Sequence, residues 1–261
     1  MPYTTIDNPE LYFQTKTYTG TGSSLAVTFD GDENMSPDMV WIKDRDGTDE
    51  HVLHDSVRGV GKRLLPNDTH AEVTTTNQIT SFDSNGFTVP GGSNNTGQSG
   101  VKYCSWNWNT GSSASSNSNG SITTSVSAGI TQGFSIVSYT GNGSAGATVG
   151  HGLGATPSFY ILKSRSTTNT WYTYNKSTGA TKTLPLNTNQ AEFSSSFANS
   201  TEPTSSVFSL GSASAFNGSG DTFIAYCFAE KKGYSKFGSY TGNGSTDGTL
   251  FIQDLNPHLY F

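Results

Sequence analysis

The sequence predicts an all-β protein of two tandem β-sandwich modules, jelly-roll-like and about 120 residues each, followed by the start of a third. Its apolar runs are short and rich in β-branched and aromatic residues, and Gly, Asn and Ser turns separate them. No long run follows the helical period. A peptide also recurs, as YTGTG at 18–22 and as YTGNG at 139–143 and 240–244.

The sequences that flank this peptide repeat with it. PDMVWIKDR (37–45) matches PSFYILKSR (157–165), and KRLLPNDTHAE (62–72) matches KTLPLNTNQAE (182–192), both at an offset of 120 residues. SNGFTV (84–89) corresponds to SSVFSL (205–210), and YCSWNW from Tyr103 matches YCFAE from Tyr226 at an offset of 123. We predict strands in these segments, with TFIAYCFA (222–229) as a core strand because it is apolar nearly throughout.

The repeats divide the chain into four parts. We predict an N-terminal segment (1–17), module 1 (18–120), module 2 (121–238) and a last part (239–261) in which LNPHLYF matches ATPSFYI of module 2. The boundary between the modules falls in GSSASSNSNGS (111–121), which its composition predicts to be flexible. The last part is either the truncated start of a third module, as in a fragment of a longer protein, or a strand that completes another sheet.

Composition restricts the partners. Only 13% of the residues are charged, yet 12% are aromatic and the net charge is −6, which favours a folded chain with polar loops over disorder. The 14 Lys and Arg residues are scattered, so we expect no nucleic-acid partner. No apolar run approaches the roughly 20 residues that span a bilayer, and the N-terminus does not resemble a secretory signal.

The glycines at 141, 143 and 146 spell the G-x-G-x-x-G of a dinucleotide-binding turn. That motif needs a helix N-terminus after the glycines, so that free backbone N–H groups face the pyrophosphate. Here ATVGHGLGATP follows, which is a poor helix former, and the other two copies lack the third glycine. We therefore predict a turn and no cofactor.

Candidate metal sites are equally weak. DGDEN (30–34) opens like a calcium loop, but its sixth and twelfth positions are Met35 and Trp41, so a polar turn is the better interpretation. Cys104 and Cys227 hold equivalent positions in the two modules and are predicted to be small buried residues without a disulfide. We predict no metal site.

Catalytic groups are not repeated either. His51, His54 and Asp55 form the nearest approach to a catalytic cluster, yet module 2 has Tyr174 and Asn175 in place of His54 and Asp55. The acidic run of module 1 has no counterpart in module 2; it comprises Asp44, Asp46, Asp49 and Glu50. We predict no catalytic residues and no enzymatic activity.

Two cation pairs do repeat, Lys43 with Lys163 and Arg45 with Arg165. We interpret them as strand-end charges that keep a sheet edge soluble, with lattice or anion contacts as the alternative. Several aromatic residues are predicted to lie in the core, with stacking on sugar rings as the alternative; they are Trp106, Trp108, Trp171, Tyr172 and Tyr174.

The opening 24 residues, HVLHDSVRGV, GFSIVSYTGNGS, VGHGLGATP and IAYCFAEKKGYSKFGSYTGNG together resemble an uncharacterised repeat module of marine tailed-phage virion proteins, often labelled tail fibre or lectin-like. The resemblance implies a non-enzymatic structural protein on the particle surface, in a tail fibre or appendage that supports host attachment. The alternatives are a capsid decoration or surface-lattice protein, and a carbohydrate-binding module for host glycans. Phage fibres often close about a threefold axis, so we expect a homo-oligomer, such as a trimer, in contact with other virion proteins.

Overall fold

A computed structural model of the protein describes residues 4–247. These residues form antiparallel β-sheets, a 3₁₀ turn at Pro9–Leu11 and one short helix, α1 (Ser214–Asn217). The all-β prediction is confirmed. No helix in this part of the chain is long and apolar enough to cross a membrane.

The first half of the described chain holds nine strands. Four of them form the first main sheet in the order β1-β9-β3-β4, and a three-stranded sheet, β2-β8-β7, and a β5-β6 pair complete this half. The strands are β1 (Phe13–Thr19), β2 (Leu25–Thr28), β3 (Met39–Asp44), β4 (Val52–Asp55), β5 (Lys62–Arg63), β6 (Val73–Thr74), β7 (Ser81–Asp83), β8 (Gly86–Val89) and β9 (Lys102–Trp108).

The second half holds ten strands. The second main sheet has the order β10-β11-β12-β19-β14-β15, and the pairs β13-β18 and β16-β17 lie beside it. The strands are β10 (Ser115–Asn117), β11 (Thr124–Gly129), β12 (Phe134–Thr140), β13 (Ala147–Gly150), β14 (Phe159–Ser164), β15 (Tyr172–Asn175), β16 (Lys182–Thr183), β17 (Phe193–Ser194), β18 (Val207–Leu210) and β19 (Thr222–Phe228).

Strand order links the two main sheets. The order β1-β9-β3-β4 recurs as β12-β19-β14-β15, with the repeated PDMVWIKDR and PSFYILKSR segments on β3 and β14. β1 begins at Phe13, inside the predicted N-terminal segment, and β10 lies before residue 121 but pairs with β11 of the second main sheet. The predicted boundaries between modules stay predictions, and residues 248–261 of the last part lie outside the described residues.

Three apolar clusters hold these sheets together. One lies within the first half, around Phe87 and Tyr103, and one within the second half, around Tyr160 and Phe208. The third joins the halves: Met39, Leu53 and Leu64 pack with Phe134, Ile136, Ile161, Trp171, Ile224 and Tyr226. Side chains alternate between the faces of a strand, so each main sheet contributes one face to its own core and the other face to this shared cluster.

Candidate binding site between the two main sheets

The shared cluster encloses a cavity of about 460 Å³. Its walls are almost entirely apolar and include all four tryptophans of the chain. The first half contributes Phe13, Met39, Trp41, Leu53, Trp106 and Trp108, and the second contributes Phe134, Phe159, Ile161, Trp171, Tyr226 and Phe228. Volume and lining are typical of sites that bind an apolar group.

Strand register places the aromatic rings in rows. In the first main sheet Phe13, Trp108 and Met39 lie side by side, and Trp106 and Trp41 form the next row. The ring centroids of Phe13 and Trp108 are 4.9 Å apart, and those of Trp41 and Trp106 are 6.4 Å apart.

The second main sheet repeats this arrangement with Phe134, Phe228 and Phe159 in one row. Phe134 stacks on Phe228 with centroids 4.9 Å apart. Trp108 of the first main sheet is 6.4 Å from both of these rings, so the aromatic rows of the two sheets meet.

Three of the wall residues, Trp41, Trp171 and Tyr226, use their polar atoms in hydrogen bonds to neighbouring groups of the protein. Trp41 Nε1 donates to His51 Nδ1 at 2.9 Å, and Trp171 Nε1 donates to the Leu65 and Asp68 carbonyls at 2.9 and 3.0 Å. The Tyr226 hydroxyl donates to Asp55 Oδ2 at 2.7 Å. These groups therefore present ring faces and edges to the cavity, which suits an apolar occupant.

A segment after β19 forms the remaining wall. Tyr234, Ser235 and Phe237 line the cavity together with Leu186. Phe237 stacks on Phe159 with centroids 5.6 Å apart, and Tyr234 meets Tyr12 edge-on at 6.3 Å. The segment 234–237 therefore packs along the cavity.

A buried polar network adjoins the cavity at the same interface, because Leu53 and Tyr226 belong to both. Arg58 pairs with Asp55, and the side chains of both residues are 0% exposed. Arg58 Nη2 also donates to the Leu53 carbonyl at 3.1 Å and to the Tyr226 hydroxyl at 3.3 Å. Burial opposes the charge of Arg58, but Asp55, Tyr226 and Glu72 together outweigh this effect and raise the pKa of the guanidinium. A hydroxyl from the second half thereby joins an ion pair of the first.

Glu72 connects this network to Arg165. The Glu72 carboxylate accepts from Arg165 Nε at 2.9 Å and Nη2 at 3.0 Å, and from Arg58 Nη1 at 3.2 Å. Its backbone N–H donates to the Arg165 carbonyl at 2.8 Å. Burial alone would raise the pKa of Glu72, but the hydrogen bonds and charges of Arg165 and Arg58 lower it. Bidentate Arg–carboxylate pairs are directional, so this contact fixes orientation as well as distance.

Lys163 adds a third connection. Its Nζ donates to the Thr69 carbonyl at 2.9 Å and to the Asn169 carbonyl at 2.7 Å, and the Asn169 N–H donates to Thr69 O at 2.9 Å. Burial lowers the pKa of Lys163 to about 8. The predicted solvent-facing role is therefore wrong for Lys163, although its repeat partner Lys43 bonds only within its own loop, at Asp44 and Gly47.

The glycine-rich peptide lies in a turn between β12 and β13. Gly143 and Gly146 adopt φ angles of 73° and 79°, a region that favours glycine. β13 then begins at Ala147, so the residues after the glycines form a strand.

The structure does not bring the candidate metal and catalytic residues together. His54 is fully buried in β4, and burial lowers its pKa to about 3. His51 accepts a hydrogen bond from Trp41, and Asp55 forms an ion pair with Arg58. Asp44 accepts the backbone N–H groups of Asp46 and Gly47, which organises a turn. Within residues 4–247, no group of three or more His, Cys, Asp or Glu side chains is placed to hold a metal.

The remaining candidates have separate environments. Cys227 is buried, Cys104 is partly buried, and both are free thiols. Trp106, Trp108 and Trp171 line the cavity, whereas Tyr172 and Tyr174 pack in the second-half core. Sequence reasoning missed Arg58 and Glu72; the one signal for Glu72 is that it matches Glu192 at the end of a repeated segment.

The fold and site thus define an all-β protein in which two antiparallel sheets enclose an aromatic cavity beside a buried ionic network. Residues 8–259 match the family described as Domain of unknown function (DUF7483), and the chain belongs to this family. The matched region covers both main sheets and continues into the last part of the chain. Comparisons with curated proteins and with solved structures give no match.

Proposed function

We propose that the protein is a non-enzymatic structural component of a tailed-phage virion, in a tail fibre or related appendage that supports host attachment. The observation that carries the proposal is the ionic network between the two main sheets, because it holds the two halves in one orientation. An appendage that presents a receptor-binding part at a distance needs units that do not bend independently. The resemblance of the sequence to phage virion modules supplies the location on the particle surface.

The contacts of this network suit a rigid unit. Arg165 and Lys163, both on or next to β14, reach the Thr69–Glu72 loop of the first half through directional bonds. Arg58 and Tyr226 add a second, buried connection. Breaking any of these would leave a buried polar group without its partner, so rotation of one half against the other is costly.

Self-association is part of the proposal. Among residues 4–247, β1 is the outer strand of the first main sheet, whereas its counterpart β12 has β11 on its outer side. The outer backbone edge of β1 offers a place where a second copy or another virion protein adds a strand. A homo-oligomer such as a trimer would be built through this edge.

The experiment is electron microscopy of intact phage particles with this protein labelled by a gold-conjugated antibody. Label on rods that project from the tail is the expected result. Label spread evenly over the shell would overturn the fibre assignment and support the decoration or lattice protein instead. Purified particles without label would overturn both virion assignments.

A carbohydrate-binding module is the second candidate, because Trp41 and Trp106 are only partly buried at the aromatic cavity. Such a module would bind host glycans as a monomer and lose binding when these rings are removed. A glycan array probed with the wild-type chain and with Trp106→Ala tests it. The fibre proposal expects no glycan binding by either protein.

A further inference from the structure

Two tryptophans of the cavity wall keep ring surface that the protein itself does not cover with another ring. Trp108 lies 6.4 Å from rings of the second main sheet, so the two sheets meet in its row. In the next row, and within residues 4–247, Trp41 meets the rings of Trp106 and His51 edge-on, and all three belong to the first half. Trp41 and Trp106 line the cavity and are only partly buried, so both have surface for a further contact.

The chemistry of the walls restricts the occupant to an uncharged molecule. Among residues 4–247, the side chains that line the cavity include no Asp, Glu, Lys, Arg or His. Several wall groups that could donate a hydrogen bond already bond to the protein: Trp41 Nε1 to His51, the Tyr226 hydroxyl to Asp55, and Gln132 Nε2 to the Asn109 carbonyl at 2.7 Å. A charged molecule or one with many hydroxyl groups would lose its hydration here without equivalent bonds in return.

The volume and the rings of the walls define the shape of this molecule. A cavity of about 150 Å³ holds a benzene ring, so about 460 Å³ has room for two fused rings with short substituents. Aromatic rings gain from contact with other rings beyond the area that they bury. We propose that the cavity binds a small uncharged molecule with a flat system of about two aromatic rings, in contact with Trp41 and Trp106.

Both halves of the chain supply walls to this site. Met39 and Leu53 come from the first half, and Phe159 and Ile161 come from the second. A molecule that binds only the folded protein stabilises it by mass action, so an occupant of the cavity strengthens the junction between the halves. The site therefore adds a small-molecule ligand to a protein whose proposed role is structural.

Fluorescence titration with Prodan, an uncharged naphthalene that carries two short substituents, tests the site. The emission of this dye shifts to the blue and intensifies in apolar surroundings. With the wild-type full chain we expect a saturable shift with one dye bound per chain. A shift that does not saturate, or no shift at all, would overturn the proposal.

Two variants locate the bound dye. Leu186 lines the cavity, so Leu186→Trp should fill part of it and abolish the saturable shift. Leu184→Trp is the matched control, because Leu184 is 41% exposed and its replacement should leave the titration unchanged. Trp106→Leu keeps an apolar wall but removes the ring, and should weaken dye binding about threefold to tenfold. Wild-type affinity in both Leu186→Trp and Trp106→Leu would overturn the proposal. Far-UV circular dichroism verifies that each variant is folded.

Competition against bound Prodan tests the class of ligand. Naphthalene should displace the dye, whereas naphthalene-2-sulfonate should need at least about a tenfold higher concentration, because its charge would be buried without a partner. Equal displacement by these two compounds would contradict an uncharged ligand. Displacement by maltohexaose would overturn the proposal in favour of a glycan site.

Discussion

The interface between the two halves has two ends that differ in chemistry. One end is ionic and closely bonded, with Arg58, Glu72 and Arg165 in contact. The other end is aromatic and encloses a cavity of about 460 Å³. Tyr226 belongs to both, because its ring lines the cavity and its hydroxyl donates to Asp55. Directional bonds at one end specify the orientation of the halves, whereas the other end is held by apolar and aromatic contacts.

Removing Arg58 should have the largest effect on this interface. Arg58→Met leaves the fully buried Asp55 carboxylate without its partner, so the free energy of unfolding should fall by about 3–5 kcal/mol. Urea denaturation followed by circular dichroism measures the change. Arg45→Met is the matched control: Arg45 is exposed, and its replacement should cost less than about 0.5 kcal/mol. Equal losses for the two variants would contradict the importance of the network.

Glu72→Gln should have the next largest effect. At pH 7 the loss of charged hydrogen bonds to Arg165 and Arg58 should cost about 1.5–3 kcal/mol. The pKa of Glu72 is lower in the folded than in the unfolded state, so its contribution is present above the unfolded value of 4.5 and is lost as the pH falls through the folded value. Urea titrations at pH 7, 4.5 and 3 should therefore show a shrinking difference between variant and wild type. A difference that stays constant with pH would argue against the ion pairs.

Trp171→Phe tests the junction of the two ends. The indole N–H of Trp171 donates to the Leu65 and Asp68 carbonyls of the first half. Losing these bonds should lower the free energy of unfolding by about 1–2 kcal/mol. Trp106→Phe, on β9 of the first main sheet, removes a similar ring area from the cavity wall and serves as the comparison. Trp171→Phe should lower the free energy of unfolding in urea more than Trp106→Phe does. Equal losses would show that the hydrogen bonds of Trp171 do not stabilise the interface.

Lys163 should give the smallest effect, measured as a change in the pH dependence of stability in alkaline solution. Its folded pKa of about 8 lies below the unfolded value of 10.5, so the unfolded chain binds more protons between these values and stability rises with pH. From pH 7 to pH 9 the wild type should gain about 1 kcal/mol relative to Lys163→Met, since each pKa unit corresponds to 1.36 kcal/mol. Parallel pH dependences of the two proteins would show that Lys163 does not titrate in this range.

The all-β fold class could be predicted from sequence, because short apolar runs and the turn residues between them are local signals. The rows of aromatic rings could be predicted only in part. Met39 and Trp41 alternate with core residues along β3, which indicates that the second face of this strand is also buried. The local sequence does not show what packs against that face. Trp106 and Trp108 illustrate this: the sequence favoured a core position over stacking on sugar rings, but it did not show which residues pack against them.

The ionic end could not be predicted because its members are distant in sequence. Arg58 and Tyr226 are 168 residues apart, and Glu72 and Arg165 are 93 apart. The repeat gives no help, because the counterparts of Asp55 and Arg58 at the 120-residue offset are Asn175 and Thr178. Lys43 and Lys163 occupy equal repeat positions but differ in burial, since only Lys163 faces a loop from the other half.

The ionic and aromatic contacts between the two halves imply that the halves unfold as one unit. Differential scanning calorimetry of the wild-type chain tests it most directly. We predict a single transition whose calorimetric and van't Hoff enthalpies agree, as expected when two packed halves unfold together. Two separate transitions, with no loss of stability in either when Arg58 is replaced, would contradict the claim and leave the halves as independent modules.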